Sequence, residues 1–395
     1  MLVTCIIGDC PGCGGKKCFG NVSVSGNQVL RGCMNCKYST SVWLPEVRKK
    51  ILYLDQFFFS SVFREHDPRF VNAAQKIRQI SAFQLLVVPF SSIHKDETYQ
   101  WRGYDNKNKE DLMEFIKETS RGHEFKPAYA VEQTQIVRAF QVFLDGKPAA
   151  FELKQRDAIE GDIHEWDNYY RIDVGHYMGD IEFIRDLKRQ SVEELVDVFP
   201  IWRQSKNTFD QDLALEMQDA AKGYIDSYFK YASRIASGDY SALFDSPVMS
   251  MVIQSLLDCF VDEISPEERL KRVGMFFKSP HFAEIPYQWV STRIFATLKD
   301  MVKRGAYADR DRALKRLGGF FQDVRHVSTY APYCDAFIMD QAMASIIADP
   351  RVGLENRYGL KVFSLNNWDQ FLAWLDTLEA NMTTEHRVGL SEAYP

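Results

Sequence analysis

The chain has 395 residues, 46% of them hydrophobic and 26% charged, and a net charge of −6. That length allows two or three domains with at least one large core, and the composition excludes wholesale disorder. An acidic balance excludes nucleic-acid binding over the whole surface, and no apolar run reaches the roughly 18 residues of a membrane span.

Charge is distributed unevenly along the chain. Lys16, Lys17, Arg31, Lys37, Arg48, Lys49 and Lys50 against Asp9 and Glu46 make residues 1–50 +5, leaving −11 for the remainder. A basic module on an acidic body suits local phosphate contact; the plainer alternative is a solvated basic face. The opening "MLVTCIIGDCPGCGGKKC" is apolar too briefly for a secretory signal. A reducing, cytoplasmic location is therefore expected, with cysteines serving as thiols or metal ligands.

"CPGC" (Cys10, Cys13) and "CMNC" (Cys33, Cys36) give the spacing C-x2-C-x19-C-x2-C. Each pair can grip one ion from a tight turn, so the four predict a structural zinc. Between them, "NVSVSGNQVLRG" alternates apolar positions around a Gly-Asn turn signal and predicts a hairpin; "YSTSVWLP" adds a third strand. "CPGCGG", followed by "CMNC" and a strand, resembles the four-cysteine zinc ribbons of type I topoisomerases. Residues 1–46 are expected to form such a ribbon. Cys5 and Cys18 fall outside the pairs and read as small buried hydrophobes, with substitution for a ligand as the alternative.

Ile51 to Leu54, ending at Asp55, is a short continuous apolar run of the kind that suits a strand buried on both faces of a parallel sheet. "NAAQKIRQISAF" predicts a helix with Ala74, Ile77 and Ile80 inward. Leu85 to Val88 is a second buried strand, followed by an N-cap at Ser91 or Ser92 and a helix bearing His94, Asp96 and Glu97. The same grammar returns near the other end: a helix around Asp323 to Tyr330, a strand from Ala336 to Met339 ending at Asp340, the helix "QAMASIIAD", the strand "LKVFSL", and a helix burying Trp368, Phe371, Leu372 and Leu375. An aspartate just past such a strand lies at the sheet's carboxyl edge, where open α/β folds bind ligands.

Asp55 after the first strand, an acid on the helix after the second, Asp323 opening a helix and Asp340 seventeen residues later resemble a PIN-like nuclease. The resemblance implies an α/β fold: a PIN-like parallel sheet with flanking helices, split into residues 47–120 and 315–395 around a mainly helical insertion at 121–314. It implies that Asp55, Glu97, Asp323 and Asp340 hold one or two Mg²⁺ or Mn²⁺ ions. Hard cations want several oxygens, and clustered carboxylates repel one another unless a cation neutralises them. Asp96 could replace Glu97. If "DAFIMDQAMASII" were one helix, Asp335 and Asp369 would enter the set instead. His94 and His326 could orient a carboxylate but read more simply as structural, so neither is counted as a ligand.

The middle of the chain predicts helices, apart from a strand-like run and an Asp145–Gly146 turn in "RAFQVFLDGKPAAFEL". Lys303, Arg304, Arg310, Arg312, Lys315 and Arg316 could grip a phosphate backbone or form a solvated face. Trp166, Tyr169 and Tyr170 could stack bases or fill a core. Phosphate-loop, dinucleotide-binding, nucleophile-elbow and deaminase motifs are all absent from the sequence. The expected function is a metal-dependent nuclease, RNA more than DNA, with bacterial toxin or antiviral defence modules resembling this combination. The alternative is a non-catalytic ribbon-bearing scaffold subunit that docks a protein partner.

Overall fold

The computed structural model describes residues 1–395 apart from 66, 102, 167–180, 244–247 and 261–263; for 181–185, 187, 243 and 248–250 it describes the backbone alone. Four N-terminal strands, Cys5–Gly8 (β1), Phe19–Ser25 (β2), Gln28–Cys33 (β3) and Ser39–Trp43 (β4), form an antiparallel sheet in the order β1-β2-β3-β4. The β2–β3 hairpin turns at Gly26, whose φ of +58° a side chain would strain. Val29 is buried and packs with Val24, Val42, Leu44, Val47, Trp166 and Ala393, so one face of this sheet is covered by the rest of the chain.

Polar contacts fix that docking. Asn21 Nδ2 donates to the carbonyls of Glu392 (2.9 Å) and Ala393 (3.1 Å), and the Arg31 guanidinium pairs with the Glu392 carboxylate. Trp166 is fully buried; its backbone N–H bonds Gly26 O (3.0 Å) and its indole N–H bonds Pro45 O (2.7 Å). It is a core residue, and Tyr169 and Tyr170 lie outside the described residues. Gly389 lets the C-terminal helix Thr384–Ala393 approach, since a Cβ there would stand 2.7 Å from the Trp166 ring. Of the seven early cations, Arg31 and Lys50 are paired with Glu392 and Asp335, and Lys49 is buried. The exposed basic surface is therefore narrower than the charge count implied.

The second sheet is wholly parallel. Lys50–Leu54 (β5), Leu86–Val87 (β6), Ala336–Ile338 (β7) and Lys361–Phe363 (β8) lie in the order β6-β5-β7-β8. Side chains alternate between two cores, as the period of a strand requires. Tyr53 and Phe337 stack at 4.4 Å on one face with Tyr330 and Phe125, while Leu52, Leu54, Ala336 and Ile338 face Phe58, Phe59, Ile77 and Phe371 on the other. Asp335 accepts from Ile51 N (2.9 Å) and Lys50 Nζ (2.6 Å) at the amino edge of the sheet. Asp55 and Asp340 stand past the opposite edge.

Between β6 and β7 every regular element among the described residues is helical. The strand-like run expected in "RAFQVFL" belongs instead to the helix Ala128–Leu144, because Val131, Gln135, Ile136, Ala139 and Phe140 are buried at helical spacing. Asp145 ends that helix, and Gly146 turns the chain at φ +65°. Residues of this segment build a core of their own around Ile136, Phe140, Tyr224, Val252, Phe276 and Phe282.

Trp166→Ala is expected to cost about 3–5 kcal/mol, the usual loss for truncating a buried large aromatic. Chemical denaturation measures it. Hydrogen exchange should rise in β2 and β3 and in Thr384–Ala393 but not in β5 and β7.

Candidate functional site

The four paired cysteines meet at one end of the antiparallel sheet. Their sulfur atoms all lie within 4.8 Å of one another, with Cys10 to Cys36 at 3.7 Å and Cys13 to Cys33 at 3.9 Å. A tetrahedral Zn²⁺ with bonds near 2.3 Å needs sulfurs about 3.8 Å apart. Backbone N–H groups point at three of them: Gly12 at Cys10 (3.3 Å), Asn35 at Cys33 (3.3 Å) and Tyr38 at Cys36 (3.4 Å). Such donors stabilise thiolates, the form that binds metal. The cluster could thus hold a structural zinc.

Cys18 stays outside the four-sulfur set, as expected, but touches it. It is buried, with Sγ 3.5 Å from Cys33 Sγ and 3.1 Å from Gly15 O, so its single S–H is shared between the two. Burial opposes ionisation of Cys33, but hydrogen bonds from Asn35 and Cys18 outweigh it and lower the thiol to about 6. Burial and the neighbouring Cys33 push Cys18 up to about 11, so it remains a donor.

The acidic residues come from four elements. Asp55 ends β5 and caps the helix Gln56–Arg64, accepting from Gln56 N (2.6 Å). Asp340 follows β7 and caps Gln341–Ile347, accepting from Met343 N (2.8 Å). Glu97 lies on Ser92–Tyr99, a helix capped by Ser91. Asp323 and His326 lie one turn apart on Phe320–Tyr330. Ligand atoms of Asp55, Glu97 and His326 fall within 4.8 Å of one another.

Asp323 and Asp340 are within electrostatic reach of that trio. Burial raises Asp55 to about 7; His326 opposes the shift, while Glu97 and Asp340 add to it. Burial, then Asp55, Asp340 and Glu97, hold Asp323 well above the usual carboxylate range. For Glu97 burial pushes upward, but His326 and Lys188 outweigh it and lower the group. The Lys188 ammonium is 3.6 Å from Glu97, and His326 Nε2 is 3.4 Å from it.

Among the expected residues, then, Asp55 and Glu97 are brought into contact range with His326, and Asp323 and Asp340 into electrostatic range. Asp96 is raised by burial, with Arg325 opposing, and lies outside the trio. Asp335 lies at the other edge of the sheet, and Asp369 is exposed in the first turn of Trp368–Ala380. His94 is structural: Nε2 donates to Leu54 O (2.8 Å), Nδ1 accepts from Ser91 N (3.0 Å), and burial lowers it to about 3.

The sequence offers His326 as an orienter of a carboxylate but keeps it off the ligand set, and does not point to Lys188. The spacing Asp323-x-x-His326 puts both on one helix face, a signal visible in the sequence. Lys188 had none, because it arrives from a helix 91 residues beyond Glu97.

The basic run beside Asp323 divides. Lys303 is bound to Asp212, Arg304 to Asp300 and Arg310 to Asp197. Arg312, Lys315 and Arg316 instead line a cavity of about 530 Å³ together with Phe57, Asp340, Gln341, Ala342 and Leu365. Comparison with known proteins finds no family model, no curated protein and no solved structure that matches this chain.

Two outcomes are expected. Reductively purified protein should carry about one zinc per chain, and Cys33→Ser should release it while sparing the parallel sheet; elemental analysis and hydrogen exchange report this. In protein free of other divalent ions, Asp55 holds its proton up to about 7 when folded, against about 3.9 when unfolded. Stability from this group is therefore present below about pH 4 and lost as pH rises through 7. Asp55→Asn should flatten that loss, leaving the variant more stable at pH 8 by about 4 kcal/mol in melting experiments across pH.

Proposed function

We propose that this chain is a metal-dependent nuclease with a PIN-like core and an N-terminal zinc ribbon, acting on RNA in preference to DNA. One observation carries the reading: carboxylates from separate elements gather past the carboxyl edge of a parallel sheet, beside a cavity walled by Arg312, Lys315 and Arg316. The donor set fits a divalent cation. Burial and mutual repulsion already hold Asp55 and Asp323 towards their protonated forms, and a bound cation would relieve both effects.

Asp55, Glu97, Asp323 and Asp340 would hold the ion or ions. Mg²⁺ or Mn²⁺ there would supply Lewis-acid activation of water and charge stabilisation at phosphorus. The chain's own part is to bind and orient the substrate. Arg312, Lys315 and Arg316 would take the phosphates flanking the scissile one, and Phe57 and Leu365 offer an apolar floor for a base. The preference for RNA, a cytoplasmic location and a role in toxin or antiviral defence rest on the resemblance alone. No helix among the described residues is long and apolar enough to cross a membrane.

A second reading, a non-catalytic scaffold whose ribbon docks a protein, is favoured by Trp43, which is 77% exposed on β4. Large exposed aromatics are common anchors of protein interfaces.

Asp340→Asn should cut Mg²⁺- or Mn²⁺-dependent cleavage of labelled RNA and DNA by more than about 100-fold, beyond the loss typical of a merely supporting group. Asp335→Asn, at the opposite edge, should fall within about tenfold of wild type. Equal loss from both, or no cleavage by wild type with either ion, would retire the nuclease reading.

A further inference from the structure

The acidic centre contains one nitrogen donor among its oxygens, which changes the cation it suits. His326 is 1% exposed, and its Nε2 lies 3.4 Å from Glu97 with Asp55 in the same group. The three donors come from the end of β5 and from two different helices, so the fold rather than local sequence holds them together. Behind the ring, His326 Nδ1 bonds Tyr53 Oη, which is 2.9 Å from Ser91 Oγ. Ser91 Oγ in turn is 3.2 Å from His94 Nδ1.

A ligating imidazole needs a partner on its other nitrogen, because that partner sets the tautomer and the ring orientation. Here the chain of hydroxyls can run in either direction. With Nε2–H donated to Glu97, Tyr53 donates to His326 Nδ1 and Ser91 donates to Tyr53. With the Nε2 lone pair turned to a cation, Nδ1–H donates to Tyr53, Tyr53 to Ser91, and Ser91 Oγ–H shares the His94 Nδ1 lone pair with Ser91 N–H. Neither state leaves a hydroxyl of this chain unbonded.

We propose that Asp55, Glu97 and His326 form a metal site that selects Mn²⁺ over Mg²⁺, with His326 as a ligand and Tyr53 as its positioning residue. Mg²⁺ is hard and favours oxygen ligands in a near-ideal octahedron, whereas Mn²⁺ shares its preference for carboxylates but, as a first-row transition ion, takes a nitrogen among them more readily. The inference rests on the metal-centre reading above but does not require cleavage. Mn²⁺ is also the useful probe, because the ribbon's soft thiolates select zinc.

Full-length protein with its zinc retained is dialysed free of other divalent ions and titrated calorimetrically with MnCl₂ and MgCl₂. Mn²⁺ is expected to bind at least about tenfold more tightly than Mg²⁺, and pulsed electron paramagnetic resonance of bound Mn²⁺ should show coupling to an imidazole nitrogen. His326→Gln should remove that coupling and lower Mn²⁺ affinity at least about tenfold, with Mg²⁺ affinity changed less than about twofold. Tyr53→Phe should keep the coupling but alter its magnitude as the ring reorients, a change that loss of packing alone would not produce. The wild-type spectrum needs no variant, so a misfolded His326→Gln protein leaves the test intact. Mn²⁺ bound without nitrogen coupling, or equal affinity for both ions, overturns the proposal while leaving a carboxylate Mg²⁺ centre standing. No divalent binding overturns both. Nitrogen-coupled Mn²⁺ in a protein that cleaves nothing upholds this site and retires the nuclease.

Discussion

Parallel pairing of β5 with β7 joins segments about 284 residues apart, with Leu52 facing Ala336 and Leu54 facing Ile338. A parallel pair cannot be closed by a tight turn and needs a crossover connection. This chain uses a long helical segment, which has its own core around Phe140 and Phe276 and so can fold while bridging the gap. Loop-closure entropy grows only slowly with length, so a bridge that long is tolerable. Because both strands end at the same edge, Asp55 and Asp340 emerge side by side. Without that pairing neither carboxylate would feel the other.

The same pairing creates the site's electrostatic tension. Asp55 is 7% exposed and shares its surroundings with Glu97, Asp323 and Asp340. A protein selected only for stability would not gather one buried and three half-buried acids, since desolvation and like charge both oppose it. His326 and Lys188 outweigh burial at Glu97 but leave Asp55 and Asp323 displaced upward. Carboxylates displaced by burial and by one another at one sheet edge make this the candidate functional site of the chain.

The N-terminal sheet depends on different forces. Its outer end is organised by thiols and by backbone N–H groups aimed at sulfur, while its inner face is held by Trp166, Pro45 and the C-terminal helix. The two ends of the chain are thereby tied together, Asn21 and Arg31 reaching Glu392 and Ala393.

The sequence by itself determined what depends on near neighbours. Two C-x2-C pairs around a hairpin can only converge, and short continuous apolar runs ending in aspartate read as buried strands because period-two burial on both faces leaves no polar position. The place of Asp335 stayed open in the sequence, because the same residues could be read as one helix; the strand Ala336–Ile338 puts Asp335 and Asp340 at opposite edges. Burial at helical spacing overrode the strand-like composition of Arg138–Leu144, a choice made by the packing of Ile136 and Phe140 and not by propensity. Tertiary structure decided most of how the basic run divides: Arg304 pairs locally with Asp300 four residues before it, but Lys303 and Arg310 find carboxylates on distant helices, and Arg312, Lys315 and Arg316 line a cavity. It also decided that Lys188 reaches Glu97 and that Tyr53 stands behind His326. Those contacts span 91 and 273 residues, and no local pattern encodes a partner that only the assembled sheet and its helices bring into range.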